Sequence, residues 1–214
     1  MNSKRPALSD LLIGHFDRAL KTLVPHSNQA SVPSPAEDEV ESSLSEAQIN
    51  LIAGLMRVNH TGEVCAQGLY QGQALTARRN DLYQSMEKAA DEEIDHLVWC
   101  EKRLSELNAQ TSLLNPAWYL FSYSMGAIAG AFGDKHSLGF VAATEQQVCQ
   151  HLEDHLQQIG DIDPKSKAII TQMLADEARH AEFALSSGGN PFSDNAKIIM
   201  SQIAKIMTKS SFHL

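Results

Sequence analysis

Apolar residues recur at helical spacing along most of the chain, and the gaps between the recurrences mark out candidate helices. Residues 8–23 set Leu8, Leu11, Leu12, Phe16, Leu20 and Leu23 among Asp10, Asp17, Arg18 and Lys21, which predicts a short amphipathic helix. Ser45 followed by Gln48 has the form of a capping box. It opens a long helical pattern through Leu51, Ile52, Leu55, Met56, Leu69 and Leu75 that fades near Arg79. A second pattern runs from Asp81 to Leu107 through Met86, Ala90, Ile94, Leu97, Val98 and Leu104, and two more cover about Leu138 to Ile159 and Pro164 to Leu185. Pro164 suits a first helical turn and Gly188-Gly189 a stop. Strand-like alternation joined by hairpin turns is missing, so the expected class is all-α.

Three stretches depart from this pattern. From Pro25 to about Leu44, three prolines sit among Ser and Asn ahead of Glu37, Asp38, Glu39 and Glu41. That composition predicts a mobile acidic linker. The expected organisation is therefore an amphipathic helix over 1–24, a flexible acidic linker over 25–44, and one helical domain over 45–214. From Leu107 through Gly133 there is no Asp, Glu, Lys or Arg, and Ala117 to Phe132 is almost wholly apolar or small. A bilayer-spanning helix needs roughly 20 continuous apolar residues, and Pro116, Ser122, Ser124, Gly126 and Gly130 interrupt this one. It reads as an extra apolar helix, buried or interfacial. From Ala196 onward Ile198, Ile199, Ile203, Ile206 and Met207 alternate with Lys197, Lys205 and Lys209, without an acidic residue. A basic amphipathic end on an acidic chain fits peripheral contact with a membrane surface. The plainer alternative is that both segments pack on the bundle.

Composition narrows the function. With 26 acidic against 17 basic residues the net charge is −9, which argues against a nucleic-acid partner. Cys65, Cys100 and Cys149 form no close pair, so neither a disulfide framework nor a cysteine-type zinc site is encoded. Nothing at the start has the form of a signal peptide, which makes a reducing cytoplasmic compartment the expectation.

The candidate chemistry lies in a repeat. Glu93-Ile94-Asp95-His96 and Glu177-Ala178-Arg179-His180 are both Glu-x-x-His, each well inside a predicted helix. Residues three apart lie on one helix face about one turn apart, so a Glu and a His of one motif reach the same metal position. Upstream of each, inside an apolar pattern, sits a further carboxylate: Glu63 before Glu93, and Glu145 before Glu177. The chain thus reads as an internal duplication of helix-with-Glu followed by helix-with-Glu-x-x-His. That is the pattern of ferritin-like four-helix bundles holding two iron or manganese ions. One Glu-x-x-His alone is an ordinary exposed pair; two at matched spacing, each with its partner Glu, are not. Four buried carboxylates could not all stay ionised unaided. Two divalent cations would balance their charge, and neutral imidazoles complete the coordination. A site rich in oxygen with one nitrogen per metal suits Fe or Mn better than Zn. Glu92 and Asp176, each just before a ligand Glu, are placed to accept the far N–H of a ligand His.

Other polar residues have blander readings. His60, three residues before Glu63, fits a supporting role or ordinary polar packing equally. His151 and His155 stand beside Glu153 and Asp154, which predicts a solvated face rather than a third metal site. His136 and His213 have no evident partner. Cys65 and Cys149 read as small buried fillers, since no base is placed to make a thiolate.

The run Met56-Arg57-Val58-Asn59-His60-Thr61-Gly62-Glu63-Val64-Cys65-Ala66-Gln67 closely resembles the opening of the Coq7-type demethoxyubiquinone hydroxylases. So do Asp91 to His96, Leu114 to Tyr119, Ser137 to Phe140 and Asp176 to His180. The resemblance runs from about Leu51 to the C-terminus and includes all six expected ligands. It implies a carboxylate-bridged di-iron monooxygenase of ubiquinone biosynthesis, a 3-demethoxyubiquinol 3-hydroxylase that uses O2 to hydroxylate the ring of a polyprenylated quinol. Carried onto this chain, one iron is held by Glu63, Glu93 and His96 and the other by Glu145, Glu177 and His180, with Glu93 and Glu177 as bridges and Fe2+ as the reduced state. The family's setting implies peripheral attachment at the cytoplasmic face of the cell membrane. On that reading Leu113 to Phe132, with Trp118, Tyr119, Phe121 and Tyr123, is the substrate mouth, and the basic tail a second anchor. Rival readings of the same bundle are a ferritin-like iron-binding protein and a manganese catalase or peroxide reductase, neither of which calls for an uncharged apolar segment. No dinucleotide fingerprint is present, so a reductant acts from outside or through the quinone. Prenyl length, electron donor, oligomeric state and any lipid-presenting protein partner stay open.

Overall fold

The capping box at Ser45 forms: its hydroxyl accepts from Gln48 N, and its own N–H donates to Gln48 Oε1 at 2.9 Å. It launches α2, Glu46–Thr76. The computed structural model describes residues 8–214. Residues 1–7 of the expected N-terminal helix lie outside the described residues, as do the side chains of Leu8 and Leu12. Around α2 the order is α1 Leu8–Leu23, α3 Asn80–Glu106, α4 Asn115–Ala131, α5 Asp134–Ile159, α6 Pro164–Ser186 and α7 Asp194–His213. No strand occurs among the described residues. Pro164 stands in the first turn of α6, and Gly188 beyond its end takes φ +99°, a conformation open to glycine.

Helices α2, α3, α5 and α6 make the ferritin-like four-helix bundle, with α2 against α3 and α5 against α6 as the duplicated pairs. Their apolar stripes meet in two clusters. One holds Ile52, Met56, Leu104, Leu152, Ile170 and Met173; the other holds Tyr70, Ala74, Met86, Ala90, Val141 and Ala184. Along each helix the candidate ligands fall between these clusters, so both ends of the polar site are sealed by hydrocarbon.

The uncharged segment is α4, which lies along α2. Gly68 and Gly72 of α2 lie against Tyr119 and Tyr123 of α4, while Gly126 and Gly130 of α4 lie against Leu69 and Thr76 of α2, and a Cβ at Gly72 or Gly126 would collide with a backbone carbonyl of the other helix. Small residues here let the two backbones approach, while Leu120, Ile128 and Phe132 on the outer face stay exposed. Helix α7 returns to the bundle with Phe212 over Gly54, held by Arg57 Nη1 donating to Phe212 O at 2.7 Å. Its outer residues Ile198, Ile199 and Ile206 are exposed as well. Both segments therefore pack on the bundle by one face and leave an apolar face outward. Among the described residues no helix is long and apolar enough to cross a membrane.

Residues 25–44, expected to be a mobile linker, carry no α-helix and are fastened along α3. Ser31 donates through N and Oγ to the Asp95 carboxylate, and Trp99 Nε1 donates to Val32 O at 3.1 Å. Glu41 accepts two hydrogen bonds from the buried Arg103, which Asp163 also binds at 3.0 Å. The acidic composition that suggested mobility is what anchors this segment, because α3 supplies a buried cation to meet it.

Candidate metal centre

Glu63 on α2, Glu93 and His96 on α3, Glu145 on α5, and Glu177 and His180 on α6 all turn inward and are buried. Ligand atoms of Glu63, Glu93, His96 and Glu177 lie within 4.8 Å of one another, a grouping able to hold a metal ion. His180 joins the same cluster, its Nδ1 lying 3.0 Å from Glu93 Oε1 and 3.4 Å from Glu177 Oε2. Glu145 is held from the other side by Tyr70, whose hydroxyl donates to Glu145 Oε1 at 2.7 Å.

The two central carboxylates divide their oxygens between the two histidines. Glu93 presents Oε2 to His96 Nδ1 at 3.0 Å and Oε1 to His180 Nδ1. Glu177 presents Oε1 to His96 Nδ1 at 3.3 Å and Oε2 to His180 Nδ1. Although Glu93 Oε1 is close to His180 Nδ1, it is buried without a hydrogen-bond partner. His96 Nδ1 and His180 Nδ1 do hydrogen-bond Glu93 Oε2 and Glu177 Oε2, but a buried carboxylate oxygen left unpaired is costly, and a cation would satisfy Glu93 Oε1.

The acids preceding the motifs cross over. His96 Nε2 donates to Asp176 Oδ2 at 3.1 Å, and His180 Nε2 donates to Glu92 Oε2 at 2.9 Å. Each histidine is thus oriented by the acid of the other half, leaving its Nδ1 to the cluster. Gln172 and Arg179 hold Asp176 in turn.

Titration behaviour follows the crowding. Burial, reinforced by neighbouring carboxylates, drives Glu63 and Glu145 well above the usual carboxylate range. Burial alone would lower His96, but the surrounding carboxylates of Asp176, Glu177, Glu63 and Glu93 outweigh it and raise it well above 6.5. His180 is likewise pushed up to about 12, Glu177 and Glu93 prevailing over burial. Glu93 moves down, since desolvation, which would raise it, is overcome by the two neighbouring imidazoles. The cluster thus crowds carboxylates whose charge divalent cations would balance.

The structure also places residues that the sequence reading left aside or placed elsewhere. Tyr70 was not singled out, yet it lies seven residues after Glu63, two turns along the same face, and that spacing was a usable signal. His155 was expected on a solvated face; it is buried and donates from Nδ1 to Asn59 Oδ1 at 2.7 Å, because α5 turns it toward α2. His151 is half-buried. His60 is also buried, accepting from Asn115 Nδ2 at 3.3 Å, so its role is polar packing between α2 and the start of α4. Cys65 and Cys149 are partly buried, and burial raises both thiols to about 11.

Among the described residues three openings border the cluster; one, of about 220 Å³, lies between α3, α5 and α6 against Tyr70, Glu92, Leu138, Val141 and His180. Beside Glu145, an apolar cavity of about 160 Å³ lies among α2, α4, α5 and α7, walled by Leu69, Trp118, Phe121, Phe140, Val148 and Met207. On the histidine side, a cleft of about 510 Å³ with a mixed polar and apolar lining reaches His96, His180, Asp176 and Glu92 behind residues 32–35.

A family model described as "Ubiquinone biosynthesis protein COQ7" matches residues 50–211. The 3-demethoxyubiquinol 3-hydroxylase of Pseudomonas syringae pv. syringae (strain B728a) is 55% identical over 205 residues, 96% of this chain and 95% of the relative. That of Azotobacter vinelandii (strain DJ / ATCC BAA-1303) is 52% identical over 213 residues, covering 100% of this chain and 99% of its own length.

Proposed function

The chain belongs to the COQ7 family of ubiquinone biosynthesis proteins, and from that premise we propose that it is a 3-demethoxyubiquinol 3-hydroxylase. On this reading it is a di-iron monooxygenase that uses O2 to hydroxylate the ring of a polyprenylated demethoxyubiquinol. The observation that carries the two-metal part is the division of the Glu93 and Glu177 oxygens between His96 and His180. One ion would take Glu63, Glu93 and His96, the other Glu145, Glu177 and His180, with Glu93 and Glu177 spanning both. The donor set of carboxylate oxygens with one imidazole nitrogen per ion suits iron. When bound, two ferrous ions supply the electrons and the oxygen-activating chemistry.

The chain's own groups do the rest. Asp176 and Glu92 fix the tautomer and ring angle of the histidines by accepting hydrogen bonds from their Nε2–H groups. Tyr70 orients Glu145, the one ligand that borders the apolar cavity. The cavity's hydrocarbon wall excludes water and accommodates a quinol ring with its methoxy and methyl groups. A polyprenyl tail then leaves toward the apolar outer faces of α4 and α7, which we assign to contact with the cytoplasmic face of the cell membrane. Charged substitutions at Leu120 and Ile128 test that contact: lower vesicle binding and slower turnover of long-chain quinol are expected, and no change in either would refute it. Neither an iron store nor a manganese catalase or peroxide reductase has a use for such a cavity beside a ligand.

The reaction is tested with iron-loaded protein, a polyprenyl methoxy-methyl-benzoquinol, a reductant and ¹⁸O2. One labelled oxygen on the ring of the product is expected. Product without label, or no product, would contradict the reading.

A further inference from the structure

The cavity beside Glu145 is poor in free polar groups. Thr144 Oγ1 donates to Phe140 O at 2.9 Å, and Gln147 Nε2 donates to Lys197 O at 3.0 Å. Ser122 lies against Cys65, and Glu145 accepts from Tyr70. The imidazole of His151 borders the cavity too, but it is half-buried and can exchange hydrogen bonds with water. One donor stands apart: Trp118 Nε1, on an indole that forms part of the wall, is buried with no hydrogen-bond partner. The chain's other indole, Trp99, donates to Val32 O. An indole nitrogen only donates, so what Trp118 lacks is an acceptor. Its ring is set against Phe121 at 6.1 Å edge-to-face, in the first turns of α4, whose backbone is locked on α2 by glycines. The backbone that carries the indole is therefore held in place before any ligand arrives.

We propose that the Trp118 indole N–H positions the ligand by donating a hydrogen bond to an oxygen of the quinone or quinol head, either a ring oxygen or the methoxy. This rests on the reading of the cavity as the site for the quinol. The chemistry is matched: the polar atoms of such a head are oxygens, and the rest is hydrocarbon suited to Leu69, Phe121, Phe140 and Val148. A buried N–H without an acceptor is unfavourable, and a ligand oxygen relieves that where an apolar ligand cannot. Trp118 thereby selects an oxygenated ring over a plain hydrocarbon of equal bulk, and sets which ring edge faces Glu145.

The test uses the full chain loaded with a diamagnetic divalent ion, a short-chain methoxy-methyl-benzoquinone, and an alkylbenzene of the same chain length. The two tryptophans give two indole N–H signals in a ¹⁵N–¹H spectrum. The quinone is expected to move the Trp118 signal downfield and leave that of Trp99 in place, with the Trp118→Phe variant assigning the peak. Trp118→Phe is expected to weaken quinone binding about 3- to 10-fold, the range for one hydrogen bond, and to leave alkylbenzene binding unchanged. Should the quinone bind while the Trp118 signal stays still, or bind the variant equally well, this inference is overturned and the proposed function stands. Failure of the wild type to bind the quinone overturns both. If the variant binds neither compound, the indole shift of the wild type decides alone.

Discussion

In the α2–α3 half, Glu63, Glu93 and His96 cluster with Glu177, and His96 is 2% exposed although it borders the cleft behind residues 32–35. In the α5–α6 half, Glu145 borders an apolar cavity, and His180, 8% exposed, leans on the partly open Glu92. Two copies of one ligand pattern thus sit in unlike surroundings. The difference arises outside the bundle. Helices α4 and α7 close over α2 and leave a space against α5, and residues 31–41 lie along α3. The duplication supplies symmetric ligands, and the added segments make one half a holder and the other a place where a second molecule can enter.

The largest test of this asymmetry is Glu145→Ala. Turnover should fall by more than about 100-fold, beyond the range for residues that merely support ligands, while close to half of the bound metal remains. Complete metal loss would show that the α2–α3 half holds nothing by itself. Acid stability probes the seams next. Burial holds His60 and His155 down to about 4. Unfolded histidine takes its proton near 6.5. Stability from these groups is therefore complete above pH 6.5 and drains away as pH falls toward 4, by roughly 3 kcal/mol for each. Urea unfolding at pH 7 and pH 4.5 measures it, and His155→Gln should reduce the difference; an unchanged pH dependence would contradict the burial argument.

Smaller effects sharpen the contrast. Asp176→Asn should lower metal affinity by about 10- to 100-fold in a chelator competition. Glu92→Gln should fall at or below the lower end, because its side chain is 38% exposed against 13% for Asp176. Equal losses would deny that the two histidines are unequally supported. Tyr70→Phe is the mildest change: it frees Glu145 without adding bulk, and should weaken one of the two ions by about 10-fold or less.

The sequence was most informative where local chemistry repeats. The two Glu-x-x-His motifs, their partner glutamates, the Ser45 cap and the helix at Pro164 could all be read from spacing, since helix geometry converts spacing directly into a shared face. The crossing of Asp176 to His96 and Glu92 to His180 could not, because periodicity within one helix says nothing about which helix lies opposite. His155 was misplaced for the same reason: its acidic neighbours marked a wet face, and only the approach of Asn59 on α2 makes it an interior one. Residues 25–44 looked mobile because their anchors, Asp95, Trp99 and Arg103, lie more than sixty residues away. The exposed apolar faces of α4 and α7 were half legible: the patterns offered bundle packing and membrane contact as alternatives, whereas each helix packs one face on the bundle and leaves an apolar face outward.

The central claim is that Glu93 and Glu177 each serve both halves. Elemental analysis of the purified full chain, beside Glu93→Ala and Glu177→Ala, tests it most directly. The account predicts about two irons per wild-type chain, from one imidazole and one terminal carboxylate per ion on this bundle template, and loss of both ions in either variant. Retention of one iron in each variant would mean that these carboxylates serve separate ions, and would contradict it.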